Sequence, residues 1–168
     1  MKTKTIEQLL SILPKNQTIE SDISGLFFYC ADRPRETISY IQEPSICVVL
    51  QGTREIYLGS DCQQFDDSSL MFCPVNIPIS MHIKHATVEK PVIVLSMKLN
   101  LALIREVMVQ IPPQKNADHG HLGIKWSLED AILVAFERLI DLLNYPIDIK
   151  FLSPLIQQEI YYRLLSAQ

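Results

Sequence analysis

At about residue 98 the hydrophobic period of this chain changes, and that change restricts its fold more than any other feature. From about residue 23 to residue 98, β-branched and aromatic residues come in short runs bounded by turn formers. From residue 99 onward the apolar residues recur at helical spacing. The strand-like runs are GLFFYC (Gly25–Cys30), TISYI (Thr37–Ile41), SICVVLQ (Ser45–Gln51) and TREIYL (Thr53–Leu58). CQQF, LMFCPV, ISMHI and VIVLSMKL continue the series. A series of this kind with turn residues between most members specifies an antiparallel sandwich or barrel. One hairpin is explicit: Gly59-Ser60 separates two runs, and glycine at the first loop position suits a type II′ turn. Gly52 and Gly59 bracket the intervening strand, where the backbone must turn sharply.

Three helices are expected after the strands. Asn100–Gln110 carries Leu101, Ile104 and Met108 at helical spacing and stops before Pro112-Pro113. A polar loop, PPQKNADHGHLGIKW, follows. Ser127 is then expected to cap a second helix, with Glu129 and Asp130 suiting the positive end of its dipole and Asn144 and Pro146 ending it. A third is expected from Ser153, with Pro154 at its first position, to the C-terminus. The middle helix is apolar over far more than the third of a circumference that packing on one core requires. Its two partners are either two layers of one domain or this domain and a second subunit. In the second case Ile132, Phe136, Leu139, Ile140 and Leu143 form a dimerisation surface. The organisation is thus an N-terminal helix or arm (residues 1–22), a β-rich unit (23–98) and a helical unit (99–168).

Several function classes are disfavoured. No window holds about 18 uninterrupted apolar residues, so no helix is expected to cross a membrane. The first residues are too interrupted for a secretory signal, which points to the cytoplasm. A net charge of −4 without a run of Lys or Arg counts against these residues gripping nucleic acid. Cys30, Cys47, Cys62 and Cys73 contain no CxxC pair and are expected to be reduced, mostly buried thiols.

The stretch PISMHIKHATVEKP holds His82, His85 and Glu89, a ligand set common at zinc and iron. Its alternation from Ile79 to Lys84, between Pro78 and Pro91, reads as a strand, and a strand sends His82 and His85 to opposite faces. His119 and His121, in the polar loop, lack further ligands. There is no Gly-rich phosphate loop, HExxH or GxSxG. No metal, cofactor or catalytic residue is therefore assigned.

The stretches EPSICVVLQGTREIYLGSDCQQFD and LMFCPVNIPISMHIKHATVEKPVIVLSMKL carry a pattern: Pro44 before an apolar strand, Gln51-Gly52 then basic Arg54, Leu58-Gly59 in a hairpin, an Ile77-Pro78 step, and Pro91 opening an alternating strand. With the final LIQQEIYYRLL, this resembles the N-terminal domain of AraC-type transcriptional regulators. The resemblance implies a mainly β domain with C-terminal α: a cupin-like antiparallel β-barrel followed by about three helices that mediate homodimerisation. It implies an unknown small-molecule effector in the barrel, and DNA binding only through a C-terminal helix-turn-helix domain that these residues do not include. The histidines of metal-binding cupins are missing after Gly52, so a non-enzymatic regulator is expected, with a metal-dependent cupin enzyme or a pure dimerisation scaffold as alternatives. Asp32-Arg33-Pro34 resembles the segment in which an arginine before the barrel holds the sugar in the arabinose-responsive member, which implies a ligand role for Arg33. Strand parity adds Tyr29, Cys47, Val49, Tyr57, Met71 and Cys73 as candidate lumen residues.

Overall fold

Between Ser45 and Gln51 the backbone is extended, and every residue from Ser45 to Leu50 is buried. A strand buried on both faces needs a layer on each side, and the chain supplies both. The computed structural model describes residues 3–111 and 124–166. In chain order its elements are α1 (Thr3–Ile12), β1 (Thr18–Glu20), β2 (Leu26–Ala31), β3 (Arg35–Gln42), β4 (Ser45–Gln51), β5 (Arg54–Leu58) and β6 (Asp61–Phe65). β7 (Ser69–Cys73), β8 (Ile77–Ile83), β9 (Val92–Lys98), α2 (Leu101–Gln110), β10 (Lys125–Ser127), α3 (Asp130–Leu142) and α4 (Pro146–Ser166) follow.

All strand pairs are antiparallel, in a six-stranded sheet ordered β1-β2-β9-β4-β7-β10 and a four-stranded sheet ordered β3-β8-β5-β6. The expected mainly-β architecture with C-terminal helices is present. The hydrogen-bonded ladder, however, does not close into a barrel: β3 and β6 are edges of one sheet, β1 and β10 of the other.

Side-chain alternation divides the core in two. Phe28, Ile46, Val48, Leu50, Leu70, Ile93 and Leu95 face the helices and meet Leu9, Phe136, Leu139, Ile140 and Ile160. Cys47, Val49, Met71, Cys73, Val92 and Val94 face the other way, toward Ile56, Phe65, Ile79, Met81 and Ile83 of the four-stranded sheet. The molecule is therefore layered helix, sheet, sheet. Each large apolar side chain buried in it contributes about 1.5–3 kcal/mol.

Two helix starts differ from expectation. Ser127 is not a helix cap: it pairs with Ser69 in β10, which covers the open edge of β7, and Trp126 packs 5.2 Å from Phe72 between ring centroids. Satisfying an edge of backbone groups outweighs the local preference of serine for a cap, and α3 starts three residues later with Glu129 at its N-cap. Likewise α4 begins at Pro146, not Ser153, and Pro154 lies inside it. Pro146 takes the first helical position, where its missing N–H costs nothing. β1 and β10, each three residues long, were not expected at all.

The hairpin at Gly59 has the expected form. Leu58 pairs with Asp61, leaving Gly59-Ser60 as the loop, and only Gly59 has positive φ (58°). Gly52 (φ 82°) is more constrained, because a Cβ there would meet Val92 Cγ2 at 2.8 Å. Gly59→Ala therefore carries only the left-handed backbone cost of about 1–2 kcal/mol, and Gly52→Ala that cost plus displacement of Val92. Urea denaturation of the two variants is expected to rank Gly52→Ala as clearly the less stable.

Candidate functional site

The two sheets are packed tightly around Phe65, Ile79 and Ile83 but stand apart toward β3. The gap is a cavity of about 470 Å³, within the range of small-molecule sites. The six-stranded sheet contributes Tyr29, Cys47, Val94 and Ser96, and the four-stranded sheet contributes Ile38, Tyr40, Arg54 and Met81. The wall is mainly apolar, with a few fixed polar groups.

Those polar groups are mostly committed to one another. Arg35 donates from Nε to the Tyr29 hydroxyl (3.1 Å) and from Nη2 to the Asn16 carbonyl (3.0 Å). Lys98 is paired with Glu43 at 2.6 Å. The Cys47 thiol donates to Ser96 Oγ at 3.3 Å, and Ser45 accepts from Gln42 Nε2 at 2.7 Å. Arg54 is the exception: it is 6% exposed, and its Nε and Nη2 have no hydrogen-bond partner among the described residues. Burial pushes the Cys73 thiol up to about 12, with Cys47 adding to the effect and Arg54 opposing it. Burial also raises the Tyr40 phenol, again against Arg54. Both groups stay neutral near pH 7, so neither balances the guanidinium charge.

The sequence-derived candidates fall into separate places. Tyr29 and Cys47 line the cavity, and Val49, Met71 and Cys73 belong to the packed cluster at its base. Tyr57, expected on the lumen side, is on the outer face of the four-stranded sheet, because Ile56 takes the inward position of β5. There Tyr57 donates to Glu55 at 2.9 Å, and its bonds to Cys62 and Glu55 push the phenol up to about 12. Arg33 is away from the cavity, with its side chain 70% exposed beside Asp32 at 3.4 Å. Ile132, Phe136, Leu139 and Ile140 are buried in the chain's own core and Leu143 packs against it, since α1, α4 and the six-stranded sheet supply the partners that α3 requires.

Arg35, Tyr40, Arg54 and Ser96 were not singled out as site residues. For Arg54 a signal existed: in TREIYL it shares its parity with Ile56 and Leu58, so the apolar face of the strand carries a charge. The two histidines of PISMHIKHATVEKP lie in different surroundings, and only His82 is on β8, which ends at Ile83. His82 faces outward, 3.6 Å from Glu55, which Lys84 also engages, and His85 lies exposed beyond β8. Among the described residues no group of three or more His, Cys, Asp and Glu could hold a metal. His119 and His121 lie outside the described residues.

The model of the AraC-type transcriptional regulator N-terminus matches residues 22–168. The chain belongs to this family. No curated protein matches it in sequence. Among solved structures, apo ToxT (a point variant) from Vibrio cholerae strain SCE256 superposes with a TM-score of 0.60 at 7% identity, covering 88% of this chain and 58% of that one. Unsaturated fatty acid-bound wild-type ToxT from the same strain gives 0.53 at 11% identity, with 89% and 56% covered. ToxT from Vibrio cholerae O395 bound to (E)-4-(8-methylnaphthalen-1-yl)but-3-enoic acid gives 0.51 at 12% identity, with 78% and 52% covered. At these identities the likeness is one of fold. This AraC-type domain spans a little over half the length of the ToxT chains it matches.

Thiol chemistry checks the placement of the cavity wall. Cys30, Cys47 and Cys73 are buried and Cys62 is exposed. At pH 8 one thiol in four is expected to react promptly with a disulfide reagent such as DTNB, and all four after denaturation.

Proposed function

We propose that this chain is the sensing and dimerisation domain of an AraC-type transcriptional regulator, acting without catalysis. Its effector is a small molecule held in the cavity between the sheets, and its DNA contacts come from a helix-turn-helix domain outside these residues. The observation that carries this reading is the cavity itself: about 470 Å³, largely apolar and open at one side, in a domain of a regulator family. That ToxT, of similar fold, has been crystallised with an unsaturated fatty acid supports a small-molecule site in such a domain. No described helix is long and apolar enough to cross a membrane, and the reading puts the regulator in the cytoplasm with its DNA.

Residues 23–98 would then sense and residues 99–168 transmit, because the cavity wall and the helices share one sheet. Val94 faces the cavity while Ile93 and Leu95, beside it on β9, face the helices. A ligand that prefers one spacing of the sheets biases the helices through β9 and β4. Dimerisation requires a surface that α3 no longer offers. α4 offers one: Ile147, Phe151, Leu155 and Tyr162 recur along it and are exposed. That stripe is the proposed homodimer face.

Two measurements test the reading. Sedimentation is expected to show a dimer that the double variant Phe151→Glu, Leu155→Glu weakens at least about tenfold, or ~1.4 kcal/mol. A dimer indifferent to both changes would remove α4 from the interface. Thermal-shift measurements with apolar small molecules are expected to find stabilising compounds whose effect is lost in Ser96→Phe, which fills the cavity.

A further inference from the structure

One side chain of the cavity wall has no partner for its charge. Arg54 is a fixed charge, buried and lacking partners on two of its nitrogens. A buried charge is retained at a cost of several kcal/mol unless something compensates it. Every neighbouring group that could do so is otherwise occupied or neutral. Glu43 is held by Lys98, and Glu55 lies on the outer face of the sheet with Lys84 and Tyr57. Cys73 and Tyr40 remain protonated near neutral pH. No carboxylate of the cavity wall is left to balance Arg54 or Arg35, and of these two guanidinium groups only Arg54 has nitrogens without hydrogen-bond partners.

We propose that the effector is an apolar carboxylic acid whose carboxylate docks on Arg54. Nε and Nη2 lie along one edge of the guanidinium, and their N–H bonds run parallel at the spacing of the two oxygens of a carboxylate. They are the two atoms without partners. A carboxylate matches the two free N–H groups of Arg54, while Arg35 and Lys98, the other cations on the wall, already hold partners in Tyr29, Asn16 and Glu43. Ile38, Met81 and Val94 supply the surface for an apolar body. The Tyr29 hydroxyl accepts from Arg35, which leaves its own proton to donate into the cavity.

This inference rests on the effector reading, so its test is built to separate the two. The neutral dye N-phenyl-1-naphthylamine reports occupancy of the cavity, and decanoate, decanol and decyl phosphate compete for it. In the wild-type chain decanoate is expected to displace the dye at an at least about tenfold lower concentration than decanol, as a charge-assisted pair implies. In Arg54→Met that preference is expected to shrink to within about threefold while decanol competes as before. The ligand-free Arg54→Met variant is expected to melt at or above the wild-type temperature, since it loses an uncompensated buried charge. A merely structural arginine would lower it.

Equal displacement by decanoate and decanol overturns the proposal and leaves the effector reading intact, as does an acid preference that survives in Arg54→Met. Preference for decyl phosphate replaces a carboxylate ligand with a phosphate and overturns it too. A dye that does not bind overturns the effector reading and this inference with it. Should Arg54→Met not fold, the wild-type comparison of the three competitors decides alone.

Discussion

Two-sided burial of the six-stranded sheet is the constraint on which everything else here depends. β4 and β9 carry apolar side chains on both faces, so neither could sit in a sheet with one face in water. One face takes the helices and the other the four-stranded sheet. The two cores that result touch only through the backbone of that central sheet and alternate residue by residue along it. The same alternation makes the sheet a shared wall: Val94 on the cavity face is flanked in sequence by Ile93 and Leu95 on the helix face.

The cavity follows from incomplete contact between the sheets. Where Phe65, Ile79 and Ile83 interdigitate, the inter-sheet space is filled. Near β3, an edge strand largely exposed along its length, the facing residues are fewer and the polar ones are tied to neighbours on the rim. Closing the ladder on this side would require the edge strands β3 and β1 to pair. The open edge that departs from the expected barrel is thus what leaves room for a ligand. Arg54 belongs to the same economy of charge: inside a filled core it would be intolerable, whereas facing a cavity it can be retained for an anion that arrives from outside.

Much of the fold was legible in the primary structure. All eight strand runs between Gly25 and Leu99 form strands, and the Gly59-Ser60 hairpin has the expected geometry. Three helices follow the sheet. What escaped were elements created by contact with something distant. β10 is a strand because β7 has an edge to cover, and the alternation of Lys125, Trp126 and Ser127 is too short by itself to specify one. α4 extends back to Pro146 because Pro154 is tolerated inside a helix packed against α2 and α3. The broad apolar surface of α3 requires two partners, but only packing decides that both lie within the chain.

The cavity residues divide on the same line. Periodicity by itself determined that this chain is a β-rich unit followed by helices, and which residues of a strand share a face. It could not determine which face looks inward. Cys47 and Val49 have apolar neighbours on both sides, so no polar face breaks the tie, and Tyr57, expected inside, is one residue out of phase with the inward Ile56. Tertiary structure alone decided that Arg54 is buried, that Glu43 on the same cavity wall is paired with Lys98, and that Glu55 is turned to the outer face with Lys84. Local sequence encodes alternation, a relative property; inside, outside and charge balance are properties of the assembled layers.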